Sequence, residues 1–236
     1  MVSFVLAHSP LTGPAAWGEL PTLLRTLGHE VVVLDVRDDD DAPYAARYVA
    51  TAAQQISGAG PAAPLHLVAH SGAGYLLPQL AFTQRAASRA VRGYVFVDAG
   101  LPVPRPASRL ELLAGEDAAM AKELDEHLAV GGRYPEWSDE DLRTFIPDDD
   151  LRAALVSSLR PRGRGFFTEM LPFPTGETDW PDAPCGLLQT SEAYAGPARS
   201  ARSRGWPVVE RGGGHFAACV DPEGVARDLL GLVDRL

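Results

Sequence analysis

The chain has 236 residues, 46% hydrophobic and 22% charged, with a formal net charge of −10. That length and composition suit one globular α/β domain with its own core. So acidic a balance argues against nucleic acid and anionic membranes as partners, since both demand a basic face.

Two cysteines, Cys185 and Cys219, imply neither a disulfide framework nor a metal-ligand spacing, so no metal or other cofactor is expected. The opening "VSFVLAH" is too short for a signal peptide and lacks its charged start. No apolar run reaches the roughly 18 residues a membrane span needs. The expectation is a cytoplasmic protein whose partner is a small-molecule substrate; the oligomeric state is left open.

Near-continuous apolar runs predict strands at 2–8, 30–36, 65–70, 91–98, 185–190 and 206–211. Helical patterns fall between them at 15–28, 43–57, 73–87, 196–204 and 222–235. This alternation predicts a doubly wound, mostly parallel α/β sheet of about six strands with right-handed crossovers. It stops between Leu101 and Pro181, where no strand is expected. Amphipathic stretches appear there instead: "SRLELLAG", "AAMAKELDEHLAV" and "SDEDLRTFI", the last with Ser138 and Asp141 in a capping pattern. About eighty residues are too many for a plain connection. Residues 101–181 therefore read as a helical lid inserted after the fourth strand, with 1–100 and 182–236 forming the core. The acidic run Asp38–Asp41 reads as a solvated loop.

The third strand ends in Ala69-His70-Ser71-Gly72-Ala73, a variant of the G-x-S-x-G nucleophile elbow with Ala at both outer positions. A serine held in a strained strand-to-helix turn exposes its Oγ, and only small neighbours let the helix fold back past it. The helix start also offers the unpaired N–H of Gly72 beside the reacting oxygen. Two plainer readings compete. Ser71 is a helix N-cap and nothing more, or Gly72-x-Gly74 with Asp98 is a dinucleotide-binding turn. Leu77 at the third glycine position, and a turn after the third strand rather than the first, count against the dinucleotide.

Nearly the whole chain resembles the α/β-hydrolase family, and within it the small esterase and hydroxynitrile-lyase-like members. "FVLAHSPLTGPAAWGELPTLLRTLGHEVVVLD" resembles their opening strand, loop and helix, and "HLVAHSGAG" their elbow. "GYVFVDAGLP" resembles the next strand, and "GGGHFAACVDPEGVARDLLGLV" the closing histidine loop and helix. The resemblance implies acyl or related chemistry by a Ser–His–acid triad, in the chain order Ser, acid, His.

Ser71 is then the nucleophile and His215, in the glycine loop "GGGHF", the base. His70 is expected to brace the elbow, while His66 and His70 lie on a strand and lack helical metal-ligand geometry. The acid is either Asp98, directly after "YVFV", or Glu192 in "LLQTSEAY". Family members such as haloalkane dehalogenase-like ones carry it at the Asp98 strand; Glu192 matches the more usual place. A carboxylate at the tip of an apolar strand needs a partner such as an imidazolium, which favours Asp98.

One departure from the family concerns the oxyanion loop, which begins His-Gly-x with x donating its N–H. Here it reads His8-Ser9-Pro10, and proline has no N–H to give. Leu11 must donate instead, or Ser9 or Thr12 through a hydroxyl. Trp137, Phe145, Phe166, Phe167 and Trp180 are candidate pocket residues. Arg160, Arg162 and Arg164 either meet an acidic substrate or sit on a solvated loop. Three functions follow: a serine hydrolase of a small ester, lactone or thioester; a cofactor-free lyase or cyclase on the same fold; or a non-catalytic small-molecule binder.

Overall fold

Five consecutive buried residues, Ser3–Ala7, form the first strand, β1. It is followed by β2 (Glu30–Val33), β3 (Leu65–Ser71) and β4 (Val91–Ala99), then the two-residue strands β5 (Ala107–Ser108) and β6 (Met170–Leu171), and finally β7 (Cys185–Gln189) and β8 (Val208–Glu210). In this computed structural model the described residues are 1–37, 40–61, 64–171, 173 and 180–236. Asp38 and Asp39 of the acidic run lie outside them.

Six strands pair in the order β2-β1-β3-β4-β7-β8, every pairing parallel. Their residues alternate between two cores. Val5, Leu67, Ala69, Tyr94 and Phe96 face one side; Phe4, Leu6, Val68, Val95 and Val97 face the other. Helix α1 (Leu20–Thr26) covers the second side, together with the C-terminal helix. Helices α2 (Tyr44–Ala59) and α3 (Leu77–Ala86) cover the first. A sheet covered on both faces explains why its strands read as unbroken apolar runs. Each fully buried Leu, Val or Phe contributes roughly 1.5–3 kcal/mol.

The segment between β4 and β7 holds α4 (Arg109–Glu116), α5 (Ala118–Ala129), α6 (Asp139–Leu142), α7 (Asp149–Ser158) and α8 (Arg164–Thr168). Local capping starts these helices: Ser108 with Glu111 and Ser138 with Asp141 form capping boxes, and Asp117 and Asp148 cap α5 and α7. The sequence signalled no strand here, yet β5 and β6 pair antiparallel. Two residues on each side are too few to leave a period-two pattern. Buried Arg109 ties the segment together. Its guanidinium lies 3.8 Å over the Phe166 ring and donates to the Phe166 carbonyl at 2.8 Å and to Glu169 at 3.2 Å. Glu169 in turn accepts the Ala45 N–H of α2 at 3.0 Å, fastening the insertion to the core.

The chain closes with α9 (Ala195–Ser203), α10 (Ala217–Val220) and α11 (Pro222–Val233), the last packing beside α1. All five helices expected outside the insertion are present. Those expected at 15–28 and 73–87 begin as 3-10 turns, at Pro14–Trp17 and Gly72–Leu76.

Candidate active site

Ser71, the last residue of β3, has φ 57° and ψ −130°, a sparsely populated backbone conformation. Strand gives way there to the 3-10 turn Gly72–Leu76 and then to α3. The glycines make the turn possible. A Cβ on Gly74 would lie 2.1 Å from the Gly100 carbonyl oxygen, at the end of β4. A Cβ on Gly72 would come within 3.4 Å of Ser9 Oγ and 3.9 Å of Pro10 Cδ, so the loop after β1 flanks the Gly72 backbone.

Asp98 owes its position to an irregularity in the sheet. His70 pairs with Val97 but Ser71 pairs with Ala99, leaving Asp98 as an extra residue in β4, with φ 43°. Such a bulge re-aims a side chain at a strand end. The carboxylate is fully buried. Its Oδ1 accepts the N–H groups of Thr190 at 2.8 Å and Ser191 at 2.9 Å. Its Oδ2 accepts the Ser191 hydroxyl at 2.5 Å and His215 Nδ1–H at 2.8 Å. Burial alone would raise this carboxyl. The hydrogen bond and charge of His215, with the Ser191 and Thr190 donors, overcome that and hold it below the ordinary value.

His215 reaches Asp98 through a loop in which Gly213 and Gly214 both have positive φ, 122° and 80°. Two aromatic rings pack near its own. Tyr194 stacks on it at 5.2 Å with 1° between planes, and His70 lies 4.5 Å away. His70 Nε2–H donates to the His215 carbonyl at 2.8 Å, so His70 braces the histidine loop. Burial, with the neighbouring His215, pushes His70 down to about 3 and keeps it neutral.

Glu192, the other expected acid, is exposed at the start of the turn Glu192–Tyr194; its neighbours Thr190 and Ser191 are the residues that contact Asp98. Tyr194 was not anticipated. Its hydroxyl lies 3.2 Å from Ser71 Oγ. In the sequence it is a lone tyrosine two residues after Glu192, with no motif around it.

The loop after β1 folds on itself. Leu11 N–H donates to Ser9 Oγ at 3.2 Å, and the Thr12 N–H and hydroxyl both donate to the Ser9 carbonyl, at 3.0 and 3.4 Å. His8 Nδ1–H donates to that carbonyl at 2.8 Å, while His8 Nε2 accepts Val36 N–H at 3.1 Å. Of the three donors considered in place of Pro10, Leu11 and Thr12 are engaged within the loop. Ser9 Oγ is an acceptor there and keeps its own hydrogen for another partner.

Above Ser71 lies a cavity of about 520 Å³, lined by Ser9–Thr12, Ser71, Gly72, Tyr194 and His215 and roofed by insertion residues including Trp137, Phe145, Phe166 and Phe167. Trp180 is not part of it: that indole packs against Tyr94, Phe96 and Trp206 in the core beside the sheet. Nor do Arg160, Arg162 and Arg164 line it, although Arg109 does. Arg162 pairs with Asp40 at 2.7 Å and Arg164 with Asp125 at 3.0 Å, while the Arg160 N–H donates to the Leu11 carbonyl. The cavity wall also carries Glu116, which accepts the Tyr75 hydroxyl at 3.1 Å. Burial raises this carboxyl to about 7, against the opposing Tyr75 and Leu101 hydrogen bonds. Among the described residues, no cluster of three or more His, Cys, Asp or Glu is arranged to hold a metal, and no helix is long and apolar enough to cross a membrane.

A family model described as the alpha/beta hydrolase family matches residues 4–228. The chain belongs to the α/β-hydrolase family. No curated protein matches it. Among solved α/β-hydrolase structures, it is similar to an extracellular enzyme from Paenibacillus described as structurally and functionally homologous to tobacco salicylic acid binding protein 2. That match has 18% identity and a TM-score of 0.75, covering 98% of this chain and 99% of the other. Polyneuridine aldehyde esterase matches at 19% identity with a TM-score of 0.73, again covering 98% and 99%. A pyrethroid hydrolase from Sphingobium faniae matches at 15% with a TM-score of 0.65, covering 99% and 97%. At these identities the likeness is one of fold.

Proposed function

We propose that this α/β hydrolase is a serine hydrolase of a small, largely apolar ester-like substrate, with Ser71, His215 and Asp98 as its triad. The observation that carries the reading is the 2.8 Å bond from His215 to the buried Asp98, beside a strained Ser71 that opens into the cavity. Asp98 fixes Nδ1 of His215 as the protonated nitrogen, leaving Nε2 to take the Ser71 proton. Ser71 Oγ then bonds the substrate carbonyl carbon, and the imidazolium returns the proton to the departing alkoxide. Water repeats the sequence to release the acid.

The carbonyl oxygen becomes an anion in this step and needs donors on the side of the β1 loop. Gly72 N–H supplies one. The Ser9 hydroxyl supplies the second, in place of the N–H that Pro10 lacks. The insertion 101–181 acts as the lid: Trp137, Phe145, Phe166 and Phe167 give it an apolar underside suited to an uncharged acyl or alkyl group. The neighbouring esterase and pyrethroid hydrolase support hydrolysis as the chemistry.

Pro10 favours a second reading, in which Ser71 and His215 serve as acid and base of a lyase or cyclase without an acyl-enzyme. A fluorophosphonate probe and a panel of p-nitrophenyl esters separate the two. Labelling at Ser71, lost in Ser71→Ala together with turnover, is expected for the hydrolase. Folded protein that takes no label and turns over no ester overturns it.

A further inference from the structure

Tyr194 is the polar group nearest the nucleophile that the triad leaves unused. Its hydroxyl lies 3.2 Å from Ser71 Oγ, and its ring lies parallel to His215 at 5.2 Å. The sheet order fixes the side from which it approaches. Ser71 ends β3, the Ser9–Thr12 loop follows β1 on one flank, and Tyr194 follows β7 on the other. The hydroxyl therefore stands with His215, across Ser71 from the Ser9–Thr12 loop, and a leaving group protonated by His215 departs on that side. Burial holds the phenol well above its ordinary value, so it stays protonated and has a hydrogen to give.

We infer that Tyr194 is a further catalytic residue, whose hydroxyl donates a hydrogen bond to the leaving-group oxygen as the acyl-enzyme forms. The inference rests on the serine-hydrolase reading above. In the resting site the hydroxyl holds Ser71 Oγ. When that oxygen bonds the carbonyl carbon, it gives up its proton to His215 Nε2 and becomes a poorer acceptor. Negative charge then builds on the ester oxygen as the carbon–oxygen bond breaks, and the Tyr194 hydrogen bond transfers to it. The proton that neutralises the alkoxide comes from His215; Tyr194 keeps its own. The parallel phenol ring also faces the imidazolium at the moment it carries charge, an arrangement favourable to a cation over an aromatic face.

Leaving groups separate this role from a structural one. A phenolate of low basicity departs unaided, whereas an alkoxide depends on every donor it meets. Butyrate esters of p-nitrophenol, phenol, trifluoroethanol and ethanol form the series, with wild type, Ser71→Ala and Tyr194→Phe compared. Tyr194→Phe keeps the ring on His215 and deletes only the hydroxyl. The expected result is Ser71 labelling by fluorophosphonate as in wild type, p-nitrophenyl turnover within about 3-fold, and ethyl ester turnover down about 10²-fold, the scale of one lost transition-state donor. A loss equal across the series makes Tyr194 a structural support, and no loss makes it a bystander; either overturns the inference while the hydrolase reading stands. Wild type that takes no label, or Ser71→Ala that keeps turnover, sinks the hydrolase reading itself and this inference with it.

Discussion

Asp98 and His215, 117 residues apart in the chain, meet through a 2.8 Å hydrogen bond in which a fully buried carboxylate accepts from a partly exposed ring. Every donor around Asp98 points inward. Asp98→Asn therefore puts an amide where a carboxylate accepted four bonds, and leaves His215 in the wrong tautomer. The expected kcat falls about 10⁴-fold, the size of that substitution in a serine-protease triad. Melting temperature also drops, because the amide nitrogen replaces an oxygen that accepted two bonds, at about 1–3 kcal/mol for each donor left unpaired. Glu192→Gln, at an exposed position, leaves both quantities nearly unchanged. Steady-state kinetics and thermal melts of the two variants decide it, and a larger loss from Glu192→Gln would reverse the assignment.

Ser9→Ala tests the oxyanion donor. Ser9, 1% exposed, places its hydroxyl oxygen beside Gly72. The expected loss is about 10²-fold in kcat with little change in KM, since the donor acts on charge present only in the transition state. A rise in KM alone would make Ser9 a ground-state contact instead.

Glu116 gives a pH signature in stability. Its folded value of about 7 stands above the ordinary carboxyl value because burial penalises its charge. Between the unfolded value of 4.5 and about 7 the folded state binds the proton more tightly. The stabilisation is complete below the unfolded value and is lost as pH rises through the folded one. Wild type therefore loses stability across that window, and Glu116→Gln, which stays neutral, loses less. Denaturant melts at pH 4.5 and pH 8 measure the difference, and parallel curves for the two proteins would contradict it.

Gly74→Ala tests the elbow packing. The added methyl group would sit 2.1 Å from the Gly100 carbonyl oxygen, which is backbone and has nowhere to go. Overpacking typically costs about 1–3 kcal/mol, and a clash with unyielding backbone belongs at the upper end. Poor folding is expected, measured as soluble yield and melting temperature. A wild-type melt would show that the turn relaxes.

The sheet was legible because each of its strands is short, apolar and bounded by turns, and both faces are covered. Ser71 and His215 were legible because special backbone leaves a mark: small residues around one, three glycines before the other. Asp98 was separable from Glu192 only by asking which carboxylate would be stranded among apolar neighbours. Tyr194 left no such mark, since its place beside Ser71 depends on an aromatic ring meeting a histidine from another loop. Trp180 misled for the opposite reason: a tryptophan in a long insertion suggests a pocket, yet this one returns to the sheet.

The bulge that carries Asp98 sets how much of the protein a change of chemistry must disturb. Pairing with β3 runs in register up to Val97 and resumes at Ala99, so the acid occupies one surplus position between two intact stretches of ladder. That surplus residue is what brings a buried carboxylate within reach of His215. One residue more than the ladder needs thus places a charge-bearing group inside an otherwise apolar sheet edge, with the β3 pairing intact on both sides of it.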